Sequence, residues 1–284
     1  MLSVSFVIPC LNEASAIGSV VDDAHNIGET GAFDHEIIVV DNGSTDGSGL
    51  IAVAQGATVI DQPIRGYGSA IRTGIHHAPN QVIVIADADG QHDLSHTPRL
   101  IEPLTRDADM VIGKRLHTPG QAANHWIKRR VGAPALSKLG RALSGAPISD
   151  FHCGFRAAKR HELRSLALRA DGMEFASEMI VRAHQAGLRL AESEVPVGPA
   201  ERERAPHLRP MRDAARHIAC IARLSATSKR ERARLPSPRG SHQDRSQHDQ
   251  ADSRACRLGS THRRPWPATS CPCRCDSQQS HPGP

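Results

Sequence analysis

Aromatic side chains are scarce in this 284-residue chain: Trp126, Trp266, Tyr67 and five Phe make up 3% of it. So few rings cannot furnish a stacking platform for bases, and a nucleic-acid partner is not expected. No run approaches the ~18 uninterrupted apolar residues of a membrane-crossing helix. Met1 is followed at once by a strand-like segment, without a basic leader or a small-residue cleavage site, so the expected location is cytoplasmic. The seven cysteines lack zinc-ligand spacing. Cys10, Cys153 and Cys220 stand apart, and Cys271-Pro-Cys273-Arg-Cys275 has single spacers where metal sites use two. No glycine fingerprint follows the first strand, which argues against hydride transfer on a dinucleotide.

Charge is unevenly placed. Residues 1–198 hold 18 Lys and Arg against 22 Asp and Glu, whereas residues 199–284 hold 17 against 8. A mildly acidic body thus carries a basic end. Such an end suits an anionic partner, membrane or nucleic acid, or is simply a solvated extension. From about residue 226 onward Leu235, Leu258 and Trp266 are the only large hydrocarbon side chains, amid Ser, Arg, Pro, His and Gln. That composition buries too little surface to offset chain entropy, and a disordered basic tail over 226–284 is expected.

The body alternates strand and helix signals. Val4-Ser5-Phe6-Val7-Ile8, Glu36-Ile37-Ile38-Val39-Val40 and Gln81-Val82-Ile83-Val84-Ile85 are short, β-branched runs suited to parallel strands buried on both faces. Helical stretches fall at 15–25, 45–55 and 67–77, with weaker strands at 57–60 and 109–112. Repeated β-α units predict an open, mostly parallel α/β sheet with helices on both faces. Beyond Gly113 the alternation stops; residues 122–143 and 171–186 read as helices and 189–197 as a late strand. One domain over residues 1–225 accounts for all of these elements.

Ligands of such sheets gather at the carboxyl ends of the strands, and three strand ends here are polar. The first runs into Pro9-Cys10-Leu11-Asn12-Glu13, the second into Asp41-Asn42-Gly43-Ser44-Thr45-Asp46-Gly47, and the fourth into Asp87-Ala88-Asp89-Gly90-Gln91. Asp87 and Asp89, with Gln91, offer hard oxygen ligands for Mg²⁺ or Mn²⁺. A metal there bridges a diphosphate and offsets charge on a leaving nucleotide; the plainer alternative is a strand exit that uses Asp as a turn former. Gly66-Tyr67-Gly68 opens a helix and is either an anion cradle of backbone N–H groups or an ordinary glycine turn.

Taken in order, these segments resemble the family 2 glycosyltransferases of GT-A fold. Gly113-Lys114-Arg115, Asp150-x-x-Cys153-Gly154-Phe155-Arg156 and Gly172-Met173-Glu174-Phe175-Ala176-Ser177-Glu178-Met179 narrow the likeness to the polyprenyl-phosphate sugar synthases, over residues 3–224. The resemblance implies inverting transfer of a hexosyl group, of the GDP-mannose or UDP-glucose type, onto a lipid phosphate; the alternatives are the same fold with a saccharide or small-metabolite acceptor, or a degenerate transferase that only binds. It implies that Pro9, Leu11 and Glu13 line the nucleotide pocket, with Val40, Asp41 and Asn42 near base and ribose. It implies that Asp87, Ala88, Asp89 and Gln91 hold the metal and the donor diphosphate. Arg115 and Arg202 then meet phosphate, Arg129 or Arg130 receives the acceptor phosphate, and Asp150 stands as a base or as an anchor for Arg156. Guanidinium geometry suits a phosphate oxyanion.

Two departures from the family pattern stand out. Asn42 replaces the second Asp of the usual Asp-Asp-Gly-Ser, and Arg202-Glu203-Arg204-Ala205-Pro206-His207 stands where relatives carry Arg-x-x-Gly-Glu-Ser-Lys. Membrane-crossing helices, which many relatives add, are not evident. Residues 208–224 are instead expected to form a basic helix, with Met211, Ala215, Ile218 and Ala222 on one face. That helix either lies on an anionic bilayer or packs on the domain itself.

Overall fold

The computed structural model describes residues 2–31, 33–116, 133–198 and 210–234. The strands form where apolar runs are densest. β1 (Ser3–Cys10), β2 (Asp34–Asp41) and β4 (Val82–Ile85) lie side by side, with all four residues of β4 buried. β3 (Thr58–Asp61) extends this parallel set at one edge. On the other side come β6 (Arg156–Lys159), β5 (Met110–Leu116) and β7 (Leu190–Pro196). The seven strands are ordered β3-β2-β1-β4-β6-β5-β7, and β6 alone is antiparallel to its neighbours. This is a mostly parallel α/β sheet, as expected, with one strand the sequence did not disclose. Arg156-Ala157-Ala158-Lys159 has no β-branched residue. It is extended because β4 and β5 pair with it on both sides, an instance of tertiary context overriding propensity.

The helices pack against this sheet by burying one face each. α1 (Ile17–Thr30) buries Ile17, Val20, Val21 and Ala24, and α2 (Ser48–Ala54) buries Ser48 and Ala52. α3 (Tyr67–His77) coincides with its expected span and buries Ile71, Gly74 and Ile75. α4 (Thr97–Arg106) precedes β5, and α6 (Arg160–Ser165) follows β6. α5 (Ala133–Ser144), α7 (Phe175–Gln185) and α8 (Pro210–Arg234) pack against one another. Phe6, Phe151, Phe155 and Phe175 are fully buried, so four of the five phenylalanines serve the core. Each such ring stabilises the fold by ~1.5–3 kcal/mol.

α8 settles which way the basic helix faces. His217, Cys220, Ile221 and Leu224 are buried, while Ala215, Ile218 and Ala222 are exposed. The stripe read from sequence therefore points outward, and a different face packs on the domain. α8 also runs to Arg234, past residue 225 where the end of the domain was expected. The remainder of the expected tail lies outside the described residues. No helix among the described residues is long and apolar enough to cross a membrane.

Candidate active site

The first two strand ends are stapled to each other. Asn12 N–H donates to Ser44 Oγ at 2.9 Å, and Thr45 N–H donates back to Asn12 Oδ1 at 2.8 Å. Glu13 N–H reaches Ser48 Oγ at 2.9 Å, and Ala14 N–H reaches Asp46 at 3.1 Å. Asn12 adopts φ 57, a left-handed conformation that asparagine tolerates, and its side chain supplies the bonds that hold it there. Asp41 accepts from the N–H of Ser44, three residues on, at 2.8 Å.

Asn42 is buried and fully engaged. Its amide NH₂ donates to the carbonyls of Gln62 and Ile64 at 2.9 and 2.8 Å, and its Oδ1 accepts from Gly66 N–H at 2.6 Å. A carboxylate cannot donate to two carbonyls, which gives the physical reason for Asn where the family commonly has Asp. Expected at the base and ribose, Asn42 instead fastens the segment that leads into α3. Val40 is likewise a core residue, fully buried beneath Gly74. Pro9, Leu11 and Asp41 are half-buried, and Glu13 is buried.

Of the two readings of Gly66-Tyr67-Gly68, the anion cradle is excluded, because the N–H groups that open α3 are taken by protein. Gly68 N–H and Ser69 N–H both donate to the Asp171 carbonyl, at 2.8 and 3.2 Å. A Cβ on Gly66 would lie 2.1 Å from that carbonyl oxygen and one on Gly68 2.2 Å from that of Ala170, so both positions require glycine for close approach. Segment 169–171 is held in turn by Glu178, which is fully buried. One carboxylate oxygen accepts Arg169 N–H and Ala170 N–H at 2.9 and 2.7 Å; the other accepts Arg182 Nε at 2.9 Å.

The acidic pair leaves β4 as expected. Asp87 retains 31% side-chain exposure, while Ala88 and Asp89 are buried. Tyr67 Oη donates to Asp87 Oδ1 at 3.1 Å, and His92 Nε2 faces Asp87 Oδ2 at 3.4 Å. His92 is stacked on Phe155, ring centroids 5.5 Å apart. Burial works to raise the Asp87 carboxyl; the His92 bond and charge, then Tyr67 and Arg156, outweigh it and leave the group below the ordinary carboxylate range. Burial, and then the charge of Asp87, push the Tyr67 phenol well above its usual range, so it stays a protonated donor. Asp89 accepts from Gln91 N–H at 3.1 Å, and the Gln91 carbonyl accepts from Gly198 N–H at 2.9 Å. Gln91 is thus fixed through its backbone.

Arg115 and Asp150, expected to act separately on phosphate and proton, are each other's partners. Arg115 Nε and Nη2 donate to the two Asp150 oxygens at 2.7 and 2.8 Å, a bidentate pair. Burial opposes ionisation of Asp150, but Arg115 prevails and the carboxyl is held low, which makes it a poor proton acceptor. Nor does Asp150 anchor Arg156. That guanidinium, 3% exposed, donates to the carbonyls of Cys153, Ala176 and Phe151 at 2.7, 2.8 and 2.9 Å. Arg156 therefore ties the loop before β6 to the start of α7. Glu192 on β7 accepts from the backbone N–H groups of Ser149 and Asp150 at 2.8 and 3.0 Å.

The structure brings together Asp87, Ala88, Asp89 and Gln91 in one loop and pairs Arg115 with Asp150. Arg129, Arg130 and Arg202 lie outside the described residues. Sequence reading missed Tyr67, His92, Arg156, Glu178 and Glu192 as site-building residues. Tyr67 left one signal, as the sole tyrosine of an aromatic-poor chain set between two glycines.

Whether these residues suit a divalent cation can be judged from their donors. Among the described residues no cluster of three His, Cys, Asp or Glu is arranged to cage a metal. Two carboxylates at the exit of a buried strand, one of them held ionised, fit the habit of Mg²⁺ and Mn²⁺. These ions take one or two protein carboxylates and leave other positions to phosphate and water. The residues fit such an ion.

A mostly parallel sheet with this acidic corner beyond a central strand defines a sugar-nucleotide transferase of GT-A fold. The model of the glycosyl transferase family 2 matches residues 5–166, and the chain belongs to that family. It is a glycosyltransferase. An uncharacterised glycosyltransferase of Mycobacterium tuberculosis is 34% identical over 198 residues, 69% of this chain and 86% of the relative. A dolichyl-phosphate hexose transferase of Haloferax volcanii is 31% identical over 190 residues, 67% of this chain and 80% of that one. Among solved structures, glucosyl-3-phosphoglycerate synthase of Mycobacterium tuberculosis, in complex with Mn²⁺, UDP-glucose and phosphoglyceric acid, aligns with TM-score 0.63 and 27% identity. The alignment covers 79% of this chain and 80% of that one.

Proposed function

We propose that the chain transfers a hexosyl group, with inversion, from a nucleotide-sugar to a polyprenyl phosphate at the cytoplasmic face of a membrane. The observation that carries this reading is the ionised, oriented Asp87 beside Asp89 at the end of β4. The name of the Haloferax relative supports the acceptor class. Asp87 and Asp89, with Gln91, hold the divalent cation. When bound, Mg²⁺ or Mn²⁺ there screens the charge developing on the departing nucleoside diphosphate. Pro9, Leu11, Glu13 and Asp41 form the nucleotide side.

On the acceptor side, a phosphate monoester with a second pKa near ~6 is largely dianionic at neutral pH and needs no base. An Asp150 locked to Arg115 agrees with that chemistry: its work is to hold the guanidinium, whose Nη1 is left for phosphate oxygens. Arg129 or Arg130, with Arg202, complete the cationic set by sequence position. Positioning and charge screening then account for the rate.

Incorporation of labelled sugar from GDP-mannose or UDP-glucose, with polyprenyl phosphate supplied, tests the reading. Label is expected in the organic-extractable product and to depend on Mn²⁺ or Mg²⁺. Label confined to water-soluble product would overturn it. That second outcome points to a small phosphorylated acceptor, a reading favoured by the phosphoglyceric acid bound to the solved neighbour.

A further inference from the structure

Asp87 is gripped from three elements. The phenol of Tyr67, at the first residue of α3, takes Oδ1; the imidazole of His92, in the loop after β4, takes Oδ2. The backbone of Gly154, before β6, closes the third side so tightly that a Cβ there would lie 2.1 Å from Oδ2. Each carboxylate oxygen has two lone-pair directions. One on each is spent on a protein donor, and 31% of the side chain stays open.

The choice of donors is also informative. Among the described residues, the cations near this corner are bonded elsewhere, Arg115 to Asp150 and Arg156 to three carbonyls. Asp87 receives a phenol and an imidazole instead. Such donors orient a carboxylate without the permanent ammonium or guanidinium charge that a lysine or arginine in their place would bring. A cation approaching the open side therefore meets a carboxylate whose orientation is already fixed. His92 is itself immobilised, 95% buried in its side chain, stacked on Phe155 and bridged to Val197 of the segment after β7. Tyr67 is fixed through α3, whose first N–H groups are capped by the Asp171 carbonyl that Glu178 keeps in place.

We propose that Tyr67 and His92 are positioning residues that set the Asp87 carboxylate for a divalent cation bound together with a nucleoside diphosphate. The proposal rests on the metal-dependent reading above. Second-sphere partners of this kind are worth about 10–100-fold in metal affinity.

The test is direct binding to the full-length chain. Mn²⁺ is titrated by electron paramagnetic resonance in the presence of UDP or of GDP, and each nucleotide is also titrated calorimetrically without metal. Tyr67→Phe and His92→Leu are each expected to weaken Mn²⁺ binding about 10-fold, leaving metal-free nucleotide affinity within about 2-fold. His92→Gln, which keeps an N–H near the Nε2 position, is expected to stay within about 3-fold of the parent. Arg164→Ala removes a guanidinium that caps the far end of α3 at Ile75, His76 and Ala78. It is expected to lower the melting temperature without moving Mn²⁺ affinity. Parent and variants binding Mn²⁺ equally well overturns the positioning role alone. Variants that lose metal-dependent and metal-free binding in parallel also overturn it. A parent whose nucleotide binding ignores Mn²⁺ overturns the metal-dependent reading, and the positioning role with it.

Discussion

Lowering the pH from about 7.5 to about 4.5 is expected to remove about 5 kcal/mol from the folded domain through two buried rings. His152 and His217 meet edge to face, ring centroids 4.6 Å apart, where α5, α7 and α8 converge. Each has a serine at Nδ1, Ser137 at 3.2 Å and Ser177 at 2.8 Å, and His152 Nε2 is buried without a partner. Burial, and then the neighbouring ring, push His152 down to about 3 from 6.5, and burial pushes His217 down to about 4. Both groups are depressed in the folded state, so their contribution is fully present above the unfolded value and is lost as pH falls towards the folded ones. At about pH 4.5 the unfolded chain has taken up both protons, whereas folded His152 has taken up almost none and folded His217 only about a quarter. That difference amounts to about 2–3 kcal/mol for each ring. Against a typical total of ~5–15 kcal/mol, the loss is large. Urea unfolding followed by far-ultraviolet circular dichroism at several pH values measures it. A His152→Gln/His217→Gln variant keeps every other histidine and is expected to lose most of the slope between about pH 6.5 and about pH 4.5. Parallel curves for parent and variant would refute the reasoning.

Three further outcomes follow from single contacts. Restoring the family's usual acid by Asn42→Asp sets a carboxylate against the carbonyls of Gln62 and Ile64; a loss of about 2–3 kcal/mol, read as a drop of about 5–10 °C in melting temperature, is expected. Asp150→Asn keeps an acceptor for Arg115 and is expected to lower turnover only a few-fold; a loss of about 100-fold or more would reinstate Asp150 as a general base. Glu178→Gln replaces an acceptor of three N–H groups, one of them from Arg182, with a side chain that also donates. It is expected to destabilise the domain by about 3 kcal/mol in chemical denaturation.

The parallel half of the sheet was legible in the sequence because β1, β2 and β4 are continuous β-branched runs that admit no other burial. α3 was read to the residue, since its glycines, one face of isoleucines and the following Ala78-Pro79 mark both ends. β6 was not legible: two alanines between Arg156 and Lys159 carry no strand signal, and only pairing on both sides extends them. The same limit governed the site. Polar residues after strands announced Asp87 and Asp89, but who bonds whom depends on segments about 20 to 100 residues apart. The Arg115–Asp150 pair spans 35 positions, and the Asp171 carbonyl caps a helix about a hundred residues earlier. Gly66-Tyr67-Gly68 left an anion cradle and a plain glycine turn both open, because glycines permit close approach in either case. The group that approaches is the protein's own backbone. For the basic helix, periodicity found an apolar stripe, yet the face that is buried carries His217, polar by type, beside Cys220.

The most direct test of the central claim is the metal dependence of donor binding. Thermal shift and calorimetry with GDP-mannose and UDP-glucose, with and without Mn²⁺, should show one donor raising stability by mass action only when the cation is present. Asp89→Ala is expected to abolish that increment while leaving the melting temperature of the unliganded chain nearly unchanged. A donor increment that is the same with and without Mn²⁺, or that survives Asp89→Ala intact, would contradict the account.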